Sequence, residues 1–408
     1  DKEAVDGSEV SSFFSYEIHK QMIDYANKIS IIRTPSFESV IKYKDKELQE
    51  IAFELALEYL MQSTLFVDED SFKIIFTLFS IHSGENIYEN SFEGKIHEMK
   101  NIIGSLLIDL SELLNFQIED ELMTVFKKDI NVNNKAYKLF LEGKHLSDYT
   151  TSADSLEKSK TKLKESIEID DQFAEAYAAL GITYGLMGNY DEAEDYFDEA
   201  EEIVEDSDNL ESLSLVYNYL GIYHRDQGKL KKSIRLFEKS LKALKKLNDR
   251  AQLANIYNNM TMSYSISGKN DMALNLCSKA EMIYKELDER IRLGNVYGQM
   301  GNISLNMNNL EEAVKYYNFA KQIFLAEEMH ARLAQVLILQ AECYILIDNI
   351  DDAKNNLSQT DEIAENFNMP IISARHSLLM AKICLREDEY SDALDYSDEA
   401  IDIFDELN

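Results

Sequence analysis

The chain has 408 residues and is strongly acidic, with 75 Asp and Glu against 41 Lys and Arg and a formal net charge of −34. Such a charge repels nucleic acid and anionic membrane surfaces, so neither is expected as a partner. The charge has two possible roles: it keeps a large helical surface soluble, or it attracts a basic partner segment. Only two prolines occur, which indicates a mostly helical chain, and no apolar run is long enough for direct membrane insertion.

The first 118 residues predict a small α+β domain, because helical and extended patterns follow one another there without an internal repeat. The predicted elements are, in order, a helix over 11–29, a strand over 29–34, a helix over 44–60, strands over 59–67, 71–84 and 86–92, and a helix over 95–114. Residues 68–70 and 83–85 have the composition of turns between the last three strands.

This order resembles the small domain related to the amino-terminal domain of TolB, which bacterial class III adenylate and guanylate cyclases and serine/threonine kinases carry ahead of their helical repeats. In that family an apolar strand precedes the residue that is Asp1 here. Since that strand and an initiator Met are both missing, we expect natural sequence upstream, where a membrane anchor stays an open alternative. The resemblance implies no catalytic residue in this segment.

A charged connector over residues 119–133 leads into a divergent first helix hairpin, and from residue 174 to 400 one pattern returns six times with a period of 40 residues. We call the small residue at the start of each pattern the register mark. The marks are Gly181, Gly221, Thr261, Gly301, Ala341 and Ala381. Sixteen residues after most marks stands a large residue, and large residues opposite small ones predict pairs of helices packed knob against notch.

Residues 180–200, LGITYGLMGNYDEAEDYFDEA, are similar to a tetratricopeptide repeat, whose familiar form has about 34 residues. The 40-residue form here resembles the long-helix subclass of peptide-binding adaptors and bacterial regulators. The resemblance implies a mainly α fold in which residues 134–408 form a right-handed superhelix of about seven hairpins, an α-solenoid, behind the small α+β domain. Gly, Asn or Asp lies where each first helix must stop.

The sequence contains no residue set that predicts a catalytic site, a metal site or a cofactor. The seven histidines are scattered without ligand spacing, and there is no phosphate-binding glycine loop or nucleophile elbow. Cys277, Cys343 and Cys384 lie at buried positions of different repeats, which predicts reduced core thiols rather than a disulfide framework. We therefore expect the chain by itself not to be an enzyme.

One polar strip stands out once the repeat is recognised. In tetratricopeptide arrays the first helix of each hairpin lines the concave face, and the residues six and three before the register mark and one after it point into the groove. The residues on or next to this strip are Asn218, Arg225, Asn255, Asn258, Asn295, Asn302 and Asn306. An asparagine amide donates and accepts, so a row of them can hold the backbone of an extended peptide, although a water-filled groove also needs polar residues.

These features predict a non-catalytic regulatory and protein-interaction region of a bacterial signalling protein, with a protein or peptide partner in the groove. By resemblance, the region controls an attached nucleotide cyclase or kinase. The alternative is a free-standing adaptor or peptide receptor without an attached enzyme. A cytoplasmic location is expected, and the last helix predicts either a homodimer contact or further natural sequence at the end of the array.

Overall fold

The computed structural model of the protein describes most of the chain, but not every residue. The described residues are 9–29, 32, 34, 50–51, 57–68, 71–119, 122–123, 126, 132–149, 152–205, 207–247 and 249–406. The predicted strand over 29–34 and the predicted helix over 44–60 lie largely outside them. The chain divides into two compact units, residues 1–259 and 260–408, which are described separately, and one helix crosses the boundary between them.

The first unit opens with α1 (Glu9–Ala26) and a three-stranded antiparallel sheet of order β1-β2-β3. The strands are β1 (Tyr59–Val67), β2 (Ser71–Ser80) and β3 (Glu85–Lys95), so the three predicted strands are confirmed. Along β2 every second residue from Phe72 to Leu78 is buried, which is the alternation of a sheet with one face on a core. Helix α2 (Met99–Leu113) follows the sheet.

The repeats consist of tandem helix hairpins in the described residues, which confirms the predicted solenoid class. They are α3 (Asn134–Tyr149) with α4 (Ala153–Ile169), α5 (Ala174–Leu186) with α6 (Tyr190–Glu205), α7 (Leu210–Asp226) with α8 (Leu230–Leu247), α9 (Arg250–Ile266) with α10 (Asn270–Glu286), α11 (Arg290–Asn306) with α12 (Leu310–Ala326), α13 (His330–Leu346) with α14 (Ile350–Asn366), and α15 (Pro370–Arg386) with α16 (Tyr390–Glu406). The first helix of each pair is odd-numbered and the second is even-numbered.

The register marks are the notches of these hairpins, as the sequence predicts. A Cβ atom added at Gly221 would lie 2.6 Å from the ring of Phe237, and one added at Gly181 would lie 3.0 Å from the ring of Phe197. Both rings come from the second helix of the same hairpin and are buried. A glycine at the mark therefore lets a large ring approach the helix backbone, and this contact closes the hairpin.

Each first helix from α5 to α15 is followed by a residue with left-handed backbone geometry. Gly188 and Gly228 have φ of 80° and 69°, and at the same register Asn308 and Asp348 have φ of 61° and 63°. The amide of Asn189 donates to the Tyr184 carbonyl at 2.9 Å, which satisfies a carbonyl that the helix end would leave unpaired. The predicted stop signals are confirmed, and Asn and Asp replace glycine because they tolerate this geometry best among the other residues.

Two glycine substitutions test this account of the helix ends. Gly228→Ala forces a side chain into left-handed geometry and is expected to lower the free energy of unfolding by about 1–2 kcal/mol. Gly298→Ala, inside α11 where an added Cβ meets no atom within 4 Å, is expected to raise it by about 0.5–1 kcal/mol. Urea unfolding followed by circular dichroism measures both, and a shift of the same sign in the two variants would contradict the assignment.

All three cysteines are free and buried, as the sequence predicts. Burial raises the pKa of the Cys277 thiol and of the Cys343 thiol, each to about 11. Both thiols are therefore protonated at neutral pH and behave as small core groups.

Candidate functional site

In the first unit, the amino-terminal segment packs against the beginnings of the first helices. Lys28, just after α1, places its Nζ 3.0 Å from Asp249 Oδ2 and 3.9 Å from Glu211 Oε1. Lys100 of α2 forms an ion pair with the same Glu211. Glu211 lies in the first turn of α7, and Asp249 directly precedes α9, so two lysines of the segment meet two carboxylates of the repeats.

Three of the four side chains in this ion-pair cluster are buried, and the fourth, Glu211, is 32% exposed. The side chains of Lys28 and Asp249 are each only 9% exposed, and that of Lys100 is 6% exposed. Burial alone would lower the pKa of Lys28, but the carboxylates of Asp249 and Glu211 outweigh it and the pKa is raised. Both ammonium groups also lie over the face of the Tyr25 ring in cation–π contacts, with Lys28 Nζ 4.3 Å and Lys100 Nζ 5.8 Å from its centroid.

The predicted strip residues of the first unit have partners of their own. Asn218 accepts a hydrogen bond from Asn259 at 3.0 Å, and Asn255 donates to Gln252 at 3.1 Å. Arg225 forms an ion pair with Asp226 at 2.8 Å. Asn258 differs, because its side-chain oxygen is buried and has no hydrogen-bond partner among the described residues, so an amide or hydroxyl donor brought to it would gain a contact.

In the second unit the strip lies on a surface that we call the first-helix face, formed by α11, α13 and α15. Consecutive helices of this set contact each other. Asn302 and Asn306 are exposed on α11, and Asn302 accepts a hydrogen bond from the Tyr317 hydroxyl at 2.7 Å. Asn295 accepts one from Arg332 of α13. The two amide oxygens are thus oriented by neighbours, while the amide NH₂ group of Asn302 lies on an exposed residue.

Tyr317 reaches this face through the notch at Gly301. Its ring packs against the Gly301 backbone and the whole side chain is buried, so the hydroxyl supports Asn302 from beneath the polar surface. Tyr317 and Arg332 are residues that sequence reasoning did not assign to the site. The ring position was evident from the 40-residue period, but the direction of its hydroxyl depends on the packing angle of the two helices.

Two histidines of the first unit are enclosed by neighbouring parts of the fold. Burial lowers the pKa of His19 and of His224, each to about 4, so both are neutral at physiological pH. The His19 ring shares a hydrogen bond of 2.8 Å with the Ser63 hydroxyl. Across the described part of the chain, no group of three or more His, Cys, Asp or Glu side chains could hold a metal ion.

Within the same described ranges, every helix is too short or too polar to cross a bilayer.

Comparison with known proteins identifies the repeats. Residues 174–207, 212–286 and 294–323 each match a tetratricopeptide repeat model. The chain therefore contains tetratricopeptide repeats, and its fold is that of a tetratricopeptide solenoid. No curated protein matches the sequence.

Solved structures of the same class resemble the chain in fold. The signal transduction ATPase with numerous domains and a tetratricopeptide repeat sensor from Pyrococcus horikoshii has a TM-score of 0.58 and 16% identity, covering 76% of this chain and 47% of its own. A Rap protein in complex with competence and sporulation factor has a TM-score of 0.51 and 14% identity, covering 76% of this chain and 97% of its own. The apo form of RapI has a TM-score of 0.50 and 15% identity, covering 67% and 98% respectively.

Proposed function

We propose that the chain is a non-catalytic regulatory and protein-interaction region that binds an extended peptide or protein segment on its tetratricopeptide repeats. The observation that carries the proposal is the exposed Asn302 amide, whose oxygen the Tyr317 hydroxyl holds at 2.7 Å. An oriented amide can donate to a peptide carbonyl without first losing much side-chain freedom. Asn295 and Asn306 on the same helix would extend this contact along the peptide backbone.

In the first unit, Asn218, Asn255, Asn258 and Arg225 belong to the same proposal. The buried, unpaired oxygen of Asn258 supports it, because an unsatisfied acceptor next to a polar strip favours a ligand that supplies a donor. The amino-terminal segment contacts the beginnings of α7 and α9 through Lys28 and Lys100. We therefore propose that a ligand of this unit binds at the later turns of α7 and α9, where the asparagines lie.

We further propose that the chain has a regulatory role. Two of the structures with the same fold are, by their names, a signal transduction ATPase with a tetratricopeptide repeat sensor and a Rap protein in complex with competence and sporulation factor. Together with the predicted TolB-like character of residues 1–118, this favours control of an attached cyclase or kinase domain by a bound partner. The mass of the natural gene product distinguishes this from the free-standing adaptor.

The peptide-binding proposal predicts the effect of Asn302→Ala combined with Asn306→Ala. The double variant is expected to bind a captured partner about 1–3 kcal/mol more weakly, because peptide groups lose their hydrogen-bond partners. A pull-down with the full chain followed by mass spectrometry supplies the partner, and calorimetry measures the affinity.

Asn355→Ala, at an exposed asparagine on the second helix α14, is the matched control and should leave affinity unchanged. Equal affinity of the double variant and the unmodified chain, at unchanged helicity, would remove the asparagines from the site.

A further inference from the structure

Charge is separated between the two layers of helices in the second unit. The first helices α11, α13 and α15 contain six basic residues and one acidic residue. The basic residues are Arg290, Arg292, Arg332, Arg375, Lys382 and Arg386, and the acidic residue is Glu342. The last two second helices have the opposite balance, since α14 has five acidic residues and one basic and α16 has seven acidic and no basic, while α12 has two of each sign.

Three of the six cations are engaged at the helix ends by carboxylates of nearby turns. Arg290 pairs with Glu327 at 2.8 Å, and Arg386 pairs with Asp348 at 3.1 Å. Arg292 lies 3.5 Å from Glu289. These pairs fix the ends of the helices, and Arg332 donates a hydrogen bond to Asn295. Arg375 and Lys382 of α15 are the other two cations.

The middle of the face retains positive charge next to exposed apolar groups. Lys382 is 57% exposed, and the distance from its Nζ to Glu342 Oε1 is 3.8 Å, which is a loose pair. Arg375 lies on the same helix as Lys382 and is half-buried.

Helix α15 arranges these groups in one stripe. Ile371, Arg375, Leu378, Lys382 and Leu385 follow one another at intervals of four and three residues, which is one face of a helix. The three apolar members are 59%, 40% and 55% exposed. An exposed stripe that alternates apolar and basic side chains fits a segment that alternates apolar and acidic ones.

The first unit shows the same pairing with the signs reversed. There the first helices offer carboxylates at Glu211 and Asp249, and the segment that covers them supplies Lys28 and Lys100. The occupied part of the repeats thus binds a segment of opposite charge. By the same charge complementarity, the basic face of the second unit favours an acidic segment.

Resting on the proposed function, we infer that the first-helix face of residues 260–408 selects an acidic extended segment, with Arg375 and Lys382 contacting its carboxylates and Leu378 and Leu385 its apolar side chains. This inference runs against the overall charge, because a chain with a net charge of −34 attracts basic peptides at long range. Short-range selectivity and long-range attraction therefore make opposite predictions, and one experiment separates them.

The test uses the full chain and three fluorescein-labelled peptides of about twelve residues with identical leucine positions and with glutamate, glutamine or lysine at the others. Fluorescence anisotropy should show the glutamate peptide binding at least tenfold more tightly than the other two. Arg375→Gln with Lys382→Gln should remove at least tenfold of that affinity. Lys315→Gln, which removes an exposed lysine from the second helix α12, should change the affinity less than twofold.

Each other outcome overturns the inference in a distinguishable way. Tightest binding of the lysine peptide, weakened by Asn302→Ala, would leave the groove in place and reject its acidic selectivity. Binding of none of the peptides would reject both proposals. Self-association in sedimentation that Lys382→Gln abolishes would give the face to a second copy of the chain, whose acidic helix α16 has the matching chemistry.

Discussion

Lys28→Met is expected to destabilise residues 1–259 by about 3–5 kcal/mol, because it leaves the buried Asp249 carboxylate and part of Glu211 without a counter-ion. Asp249 is 9% exposed, so water cannot replace the ammonium group. Lys73→Met, which breaks the exposed pair of Lys73 with Glu93 at 2.8 Å, should cost at most about 1 kcal/mol and serves as the control. Urea unfolding of the full chain followed by circular dichroism measures both variants.

Two further observations would test the cause of that loss. Lys28→Met combined with Asp249→Leu should recover most of the stability, since neither charge is then left unpaired. The raised pKa of Lys28 stabilises the fold at pH values below the ordinary pKa of 10.5, and this contribution disappears as the pH rises through the folded-state value. A variant that loses stability equally at pH 7 and well above pH 10.5 would contradict the ion pair as the cause.

Tyr317→Ala is expected to destabilise residues 260–408 by about 3–5 kcal/mol, because removing a fully buried ring leaves a cavity against Gly301. Tyr317→Phe keeps the ring and removes only the 2.7 Å hydrogen bond to Asn302. It should cost about 0.5–1.5 kcal/mol. Chemical unfolding compares the two, and the same loss in both would mean that the hydroxyl, not the ring, holds the hairpin together.

Tyr317→Phe also links the fold to the site. It should weaken partner binding while helicity stays unchanged, because the Asn302 amide is then free to rotate. Normal affinity of this variant would show that the amide needs no orientation by the hydroxyl.

The repeats were predictable because their contacts are local. Gly301 and Tyr317 are sixteen residues apart, so the period alone predicts their packing. The left-handed positions at Asn308 and Asp348 were predictable for the same reason, since a helix end has few residue types that suit it. The three strands of the amino-terminal segment were found from their alternation.

The ion-pair cluster could not be predicted, because its members are far apart in the sequence. Lys28 and Asp249 meet only after a segment without repeats has packed on the solenoid, and no periodicity relates the two. The resemblance of residues 1–118 to the TolB amino-terminal domain stays a prediction, as do the domain boundaries at residues 118 and 133.

The net charge of the whole chain conceals the charge separation in the second unit. The net charge suggested a basic partner as one of its readings, and our proposal for the first-helix face reverses that sign. The information was present in the sequence but appears only when the two helices of each hairpin are counted separately. Such counting requires the hairpin boundaries first.

The notch at the register mark has a consequence for the history of the chain. Gly221 with Phe237 and Gly301 with Tyr317 form equivalent contacts in different hairpins, each closed within its own 40 residues. A duplication or deletion of one such unit in the gene would rejoin the flanking hairpins in the same phase. The array can therefore gain or lose whole units during evolution while each remaining hairpin keeps its own closing contact.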